Sequence, residues 1–224
     1  MASEEEGREL SLRRKGLILG ATVIVAIGLV GAGVLVGKFF LANTKDSPPP
    51  ASLSTSPEPT TSAPSPVVTP SEVPSDFTRF NDRQAGFSIA YPKTWDKIDA
   101  ADPQVRLVAA GPKGESMLVR AIRVGFDVKV EELDSVKTLT DKIVRSGEGV
   151  EILAGPTEIE SGGIPGYFYF YSFKDEASGE QGAHSHYFLF EGRKMISIVF
   201  QVIPLEDFPA AAPVFDQIAA SFQS

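Results

Sequence analysis

The chain has 224 residues, with 21 Lys and Arg against 29 Asp and Glu, for a formal net charge of -8. That balance argues against a nucleic-acid binder, which needs a basic face to neutralise phosphates. Cysteine is absent, which excludes disulfides, thiolate metal sites, a cysteine nucleophile and a lipidated N-terminal cysteine.

Residues Leu17 to Gly37 form 21 consecutive positions without a charge, and Thr22 is their only polar side chain. At about 1.5 Å per helical residue the run spans the roughly 30 Å hydrocarbon core. It predicts a transmembrane helix over 17–40, behind a short tail at 1–16. A cleaved signal peptide has a shorter apolar region ending in a small-x-small site. Here cleavage after Ala42 would place Phe40 where a small residue is wanted, and Gly31-Ala32-Gly33 lies inside the apolar run, so the anchor is expected to stay. Arg13, Arg14 and Lys15 abut one end, against the more scattered Lys38 and Lys45 at the other. Basic residues mark the cytoplasmic side, so the expected topology is a single-pass cell-membrane protein with its N-terminus inside and its bulk outside. Gly16/Gly20 and Gly33/Gly37 are small-xxx-small pairs that could support a weak homodimer in the bilayer.

A linker is expected over 41–76. Of the 34 residues from Asn43 to Asp76, nine are Pro and thirteen are Ser or Thr. Such a composition cannot bury enough apolar surface to offset its ordering entropy. Proline favours the extended polyproline form, so a stalk that lifts a domain off the bilayer is the expectation. Its Ser/Thr-Pro richness suits O-glycosylation, and Pro57, Pro59, Pro64 and Pro66 would also permit a PxxP ligand.

From 77 to 224 the composition becomes that of one globular domain, holding Trp95 and all five tyrosines, with 15 basic against 21 acidic residues. Phe87, Ile89 and Tyr91 alternate along a strand, ended by Pro92. Val105 to Ala109 and Ser116 to Val124 read as a hairpin around Lys113-Gly114-Glu115. A helix is predicted over 130–146, with Leu133, Val136 or Lys137, Thr140, Ile143 and Val144 on its buried side. Glu151 to Ile159 is extended and broken at Gly155-Pro156, and the turn 162–166 follows. Tyr167 to Phe173 is aromatic at six of seven positions and reads as a central strand. Strands His184 to Phe190 and Lys194 to Ile203 form a hairpin through Glu191-Gly192-Arg193. A final helix over 210–222 has Val214, Phe215, Ile218 and Phe222 inward and Pro213 in its first turn. Short connections imply an antiparallel sheet covered by helices, an α+β domain.

The segment Gly86-Phe87-Ser88-Ile89-Ala90-Tyr91-Pro92-Lys93-Thr94-Trp95, with its strand ending in Tyr-Pro-x-x-Trp, resembles the PsbP-like group, whose fold is shared with the Ran-binding Mog proteins. The Gly-x-Pro-Gly turn at 163–166 and the closing helix after an Ile/Val-rich hairpin are similar. The resemblance implies an α-β-α sandwich used for binding and assembly. The layout of anchor, stalk and PsbP-like domain is similar to that of actinobacterial cell-envelope proteins, many of them lipoproteins, from which the lack of cysteine is a departure.

Candidate sites are few. His184 and His186 lie two apart on a predicted strand and so share a face, where both imidazoles could approach a Zn²⁺ or Cu²⁺ ion, with Glu180, Asp175 or Glu176 as further ligands. A Ser-His-Asp hydrolase lacks a Gly-x-Ser-x-Gly elbow, and no nucleotide-binding glycine motif is present. Glu158 and Glu160 could form a glycosidase pair but read as a solvated strand face, and Glu131-Glu132 suit a helix start. Tyr167, Tyr169 and Tyr171 are either a core layer or an exposed binding platform; the core is preferred because so large an open stripe is unusual. The sequence thus leads to a non-catalytic extracytoplasmic binding or assembly module that needs no cofactor and contacts the lipid bilayer through 17–40 and an envelope protein or ligand through its domain. A small-ligand or metal-binding domain and an envelope hydrolase are the alternatives.

Overall fold

The computed structural model describes residues 73–129 and 133–224. The predicted tail, anchor and nearly all of the linker therefore lie outside the described residues, as do Glu131 and Glu132. Among the described residues no helix is long and apolar enough to cross a membrane.

In chain order the elements are β1 (Phe77–Asp82), β2 (Phe87–Pro92), β3 (Asp96–Lys97), β4 (Val105–Ala110), β5 (Ser116–Val128), α1 (Leu133–Arg145), β6 (Glu151–Ser161), β7 (Ile164–Lys174), β8 (Gln181–Val202), a 3₁₀ turn (Leu205–Asp207) and α2 (Phe208–Ala220). β1 and β2 form a two-stranded sheet, and the others form a sheet in the order β3-β4-β5-β8-β7-β6. Every pairing is antiparallel.

β8 doubles back on itself. Its first half pairs with β7 and its second half with β5. His186 Nε2 lies 2.7 Å from Ser197 Oγ, eleven residues on. A straight strand would hold them about 35 Å apart. The reversal falls at the expected Glu191-Gly192-Arg193, where Gly192 takes φ 55, a conformation open to glycine. The predicted hairpin is thus present within β8, whose two arms fill two adjacent positions in the sheet.

The sheet is covered on both faces. One core joins Leu133, Val136, Ile143 and Val144 of α1 to Tyr167, Tyr169, Tyr171, Phe188, Phe190 and Met195. The other joins Phe215, Ile218 and Ala219 of α2 to Phe87, Ile89, Trp95, Ile198 and Phe200, with Phe168 and Phe170 packed against it. Alternation along β7 sends Tyr167, Tyr169 and Tyr171 to one core and Phe168 and Phe170 to the other, which gives the α-β-α layering. The Tyr-Pro-x-x-Trp turn has a packing role: the Trp95 N–H donates to Pro92 O at 3.0 Å, and the indole meets the Phe215 ring edge-on at 6.3 Å.

Several boundaries differ from the sequence reading. β1 was not expected, because Phe77-Thr78-Arg79-Phe80-Asn81-Asp82 shows no clean alternation; pairing with β2 holds it in place. β5 runs past Val124 to Val128 because its far end still has β8 as a neighbour. β6 passes through Gly155-Pro156, and the mismatch is absorbed by two register shifts, one between Ile152 and Ala154 and one across the pair itself, between Ala154 and Thr157. α2 starts at Phe208, so Pro213 lies inside the helix rather than in its first turn.

Candidate functional site

Register decides the surroundings of the two histidines. β7 and β8 pair Tyr171 with His184 and Tyr169 with His186. Residues opposite one another share a face, so the Tyr171 hydroxyl enters between the two rings, 3.1 Å from Nδ1 of each. His184 Nε2 lies 2.9 Å from Gln201 Oε1, which can only accept, so His184 carries its proton on Nε2. Its Nδ1 then accepts from the Tyr171 hydroxyl, whose oxygen accepts in turn from His186 Nδ1–H. His186 Nε2 accepts from the Ser197 hydroxyl. The result is a directed relay, Ser197 to His186 to Tyr171 to His184 to Gln201, in which every imidazole nitrogen is used.

All five residues are buried, as is the Phe188 ring stacked on His186 at 3.8 Å. Burial lowers the His184 pKa to about 4, against which the Gln201 contact acts weakly. Burial and then the neighbouring His184 hold His186 well below the ordinary histidine range. Desolvation likewise raises Tyr171. Both imidazoles are therefore neutral at pH 7.

The expected further ligands do not join them. Asp175 Oδ2 accepts from the Ser178 N–H and hydroxyl, each at 2.8 Å, while Glu176 and Glu180 are exposed. Among the described residues no group of three or more His, Cys, Asp or Glu could hold a metal. A metal would have to displace Tyr171 or Ser197 to reach a lone pair. Excess Zn²⁺ is accordingly expected to leave the thermal unfolding midpoint unchanged. A rise of about 5 °C or more, the order expected for a ligand at a hundred times its Kd, would show that the relay opens to metal.

Ser197 and His186 also have the spacing of a nucleophile and its base. Both are nearly inaccessible, at 2% and 1% exposure, so a substrate carbonyl cannot approach. Glu158 and Glu160 are exposed on β6. The tyrosine stripe is core: Tyr167 donates to Asp134 at 3.4 Å, and Tyr169 reaches Asp141 at 3.0 Å and shares a 2.6 Å hydrogen bond with Thr140. Residues of α1 thus satisfy the phenols, whose burial pushes Tyr167 up to about 12.

The open polar feature lies elsewhere, where the β1–β2 turn, β4, β5 and the β8 reversal converge. A cavity of about 450 Å³ is lined by Arg106, Arg123, Arg193 and Lys194, with Gln84 and Glu191 among the other walls. Arg106 is the extra residue of a bulge, since Val105 pairs with Arg120 and Leu107 with Val119. Its guanidinium grips Asp82 through Nε at 2.5 Å and Nη2 at 3.0 Å. That contact holds the Asp82 carboxyl below the usual carboxylate range. Lys194 pairs with Glu191 at 2.5 Å and donates to Ala85 O at 2.9 Å. Arg193 donates to Gly125 O at 3.2 Å. Among the described residues neither Arg193 nor Arg123 meets a carboxylate. Sequence reasoning missed this cluster. The Glu-Gly-Arg-Lys reversal was its one local signal; Arg123 comes opposite Lys194 only through long-range register.

The PsbP family model matches residues 75–224. No curated protein matches the chain. Among solved structures, the cyanobacterial PsbP (CyanoP) of Synechocystis sp. PCC 6803 is similar at 17% identity and TM-score 0.49, over 66% of this chain and 92% of that one. LpqN of Mycobacterium tuberculosis, involved in cell envelope biogenesis, is similar at 10% identity and TM-score 0.42, over 68% and 80%. The Saccharomyces cerevisiae Ran-binding protein Mog1p is similar at 10% identity and TM-score 0.41, over 66% and 94%. A Bacteroides thetaiotaomicron protein is similar at 12% identity and TM-score 0.46 over 66% of this chain, which spans only 48% of that protein's length. With the family model matching residues 75–224, more than half of the chain, the chain belongs to the PsbP family.

Proposed function

We propose that the chain is a single-pass membrane protein whose PsbP domain stands outside the cytoplasm and acts as a non-catalytic binding or assembly module. The reading rests on one contrast. The side chains with catalytic potential are spent on one another inside the sheet, whereas the polar side chains that reach solvent together line an open groove. A group whose lone pairs and protons are committed in a buried relay serves stability rather than turnover. An open groove with uncommitted charge serves recognition.

The uncharged run over 17–37 and the basic cluster before it support the anchor and its orientation, and the proline-rich stretch supports a stalk. The partner is an envelope protein or an envelope ligand. Cross-linking of intact cells followed by affinity purification of the full chain tests the binding role. The expected result is a defined adduct on the domain, lost when Arg123 and Arg193 are both replaced. A fluorophosphonate probe that labels Ser197 in the native chain would overturn the non-catalytic reading.

A further inference from the structure

We infer that the groove between the β1–β2 turn and the β8 reversal is an anion site that takes a phosphate group. This deepens the binding-module reading and rests on it for the groove being a recognition surface.

The arrangement contains a charge conflict that an anion would resolve. The Ala121 N–H donates to Gln104 O at 3.0 Å, so Ala121 turns its backbone towards the β4 side and away from β8. Arg123, two residues on, has the same orientation, which makes its pairing with Lys194 one of the close, non-hydrogen-bonded type. Two cations are therefore held side by side where like charges oppose folding. Arg193 lines the same cavity. Carboxylates offset only part of this charge: Asp82 answers Arg106 and Glu191 answers Lys194. Arg123 and Arg193 meet no carboxylate among the described residues, and Asp127 beside Gly192 is a third acid near the reversal, so four cations face three acids in a domain that is otherwise acidic. A local conflict of this kind, only partly compensated inside the fold, marks a site where a ligand supplies the missing charge.

The geometry narrows the ligand. Two guanidinium forks without a carboxylate partner among the described residues, and an ammonium, line one cavity. A tetrahedral oxyanion with several acceptor oxygens answers such a set better than a planar carboxylate. None of the lining side chains is aromatic, so the cavity offers no stacking surface for a base or a sugar. Its volume suits a phosphate or a small headgroup.

Calorimetric titration of the full chain in nonionic detergent tests this, with inorganic phosphate in one arm and a soluble short-chain phosphatidylglycerol in the other. Saturable phosphate binding is expected. It should weaken at least tenfold in the double variant Arg123→Gln/Arg193→Gln and persist in Lys113→Gln/Lys137→Gln, which removes the same charge from exposed positions outside the groove. Unfolding midpoints establish that both variants fold. Tighter binding of the lipid would identify a headgroup as the source of the phosphate, and equal or weaker binding a soluble phosphate. Absent heat, loss in both variants alike, or equal binding of acetate at matched ionic strength would overturn the site. The titration reads the groove whichever side of the membrane holds it, so it can fail while the topology stands, and the reverse.

Discussion

Gly166→Ala is expected to destabilise the domain by about 4 kcal/mol or more, among the largest effects of any single methyl group. A Cβ at this position would lie 1.9 Å from Phe188 O, 2.9 Å from Phe188 C and 3.0 Å from Leu189 Cα. All three are backbone atoms of β8, so no side-chain rotation relieves the clash. The strands would have to part at Gly166 and Leu189, the start of the register that brings Tyr169 to His186 and Tyr171 to His184. Gly163 is the control. It takes φ +79 with open space around its Cβ, so Gly163→Ala pays only the backbone penalty of about 1–2 kcal/mol. Urea denaturation of both variants checks the pair. A Gly166→Ala variant within 1 kcal/mol of wild type would show that β7 and β8 do not approach as closely as described.

Acid is expected to destabilise the domain through the histidine relay. The unfolded chain takes a proton on each histidine as pH falls through about 6.5. The folded chain refuses that proton, at His184 until about pH 4. A folded pKa below the unfolded one means stability is fully present above about pH 6.5 and is lost as pH falls. His184 alone accounts for about 3 kcal/mol by pH 4.5. His186 acts in the same direction, because burial lowers it too. Near pH 5.5 the two sites together give a slope of about 2 kcal/mol per pH unit. Chemical denaturation at half-unit steps between pH 7 and 4.5 reads it, and His186→Gln should halve the slope. A flat profile down to pH 5 would mean that the imidazoles are not held neutral by burial.

Both expectations depend on register, which is also the boundary of what the sequence disclosed. Local patterns were legible. The α1 face of Leu133, Val136, Thr140, Ile143 and Val144 followed from helical spacing; alternation put the tyrosines on one face, and the size of that stripe favoured core over an open platform. Alternation also placed His184 and His186 on one face. It could not supply Tyr171 between them, because that requires knowing which β7 residue lies opposite which β8 residue. Nor could it show that Ser197 and Gln201 return to close the relay. β1 escaped notice for a related reason: its order comes from pairing with β2 rather than from its own pattern. The groove was the least legible feature. Arg123 and Lys194 stand 71 residues apart in the chain, and each alone reads as an ordinary surface cation.

The measurement that tests the central claim most directly is site-specific labelling on intact cells. The chain has no cysteine, so each introduced thiol reports without background. Glu176→Cys places one on an exposed loop of the domain, and Glu5→Cys places one in the N-terminal tail. With a membrane-impermeant maleimide, the account predicts labelling of position 176 in intact cells and of position 5 only after permeabilisation, with the chain retained in carbonate-washed membranes. Labelling at 176 that appears only after lysis, or recovery of the domain in the soluble fraction without its first forty or so residues, would contradict it.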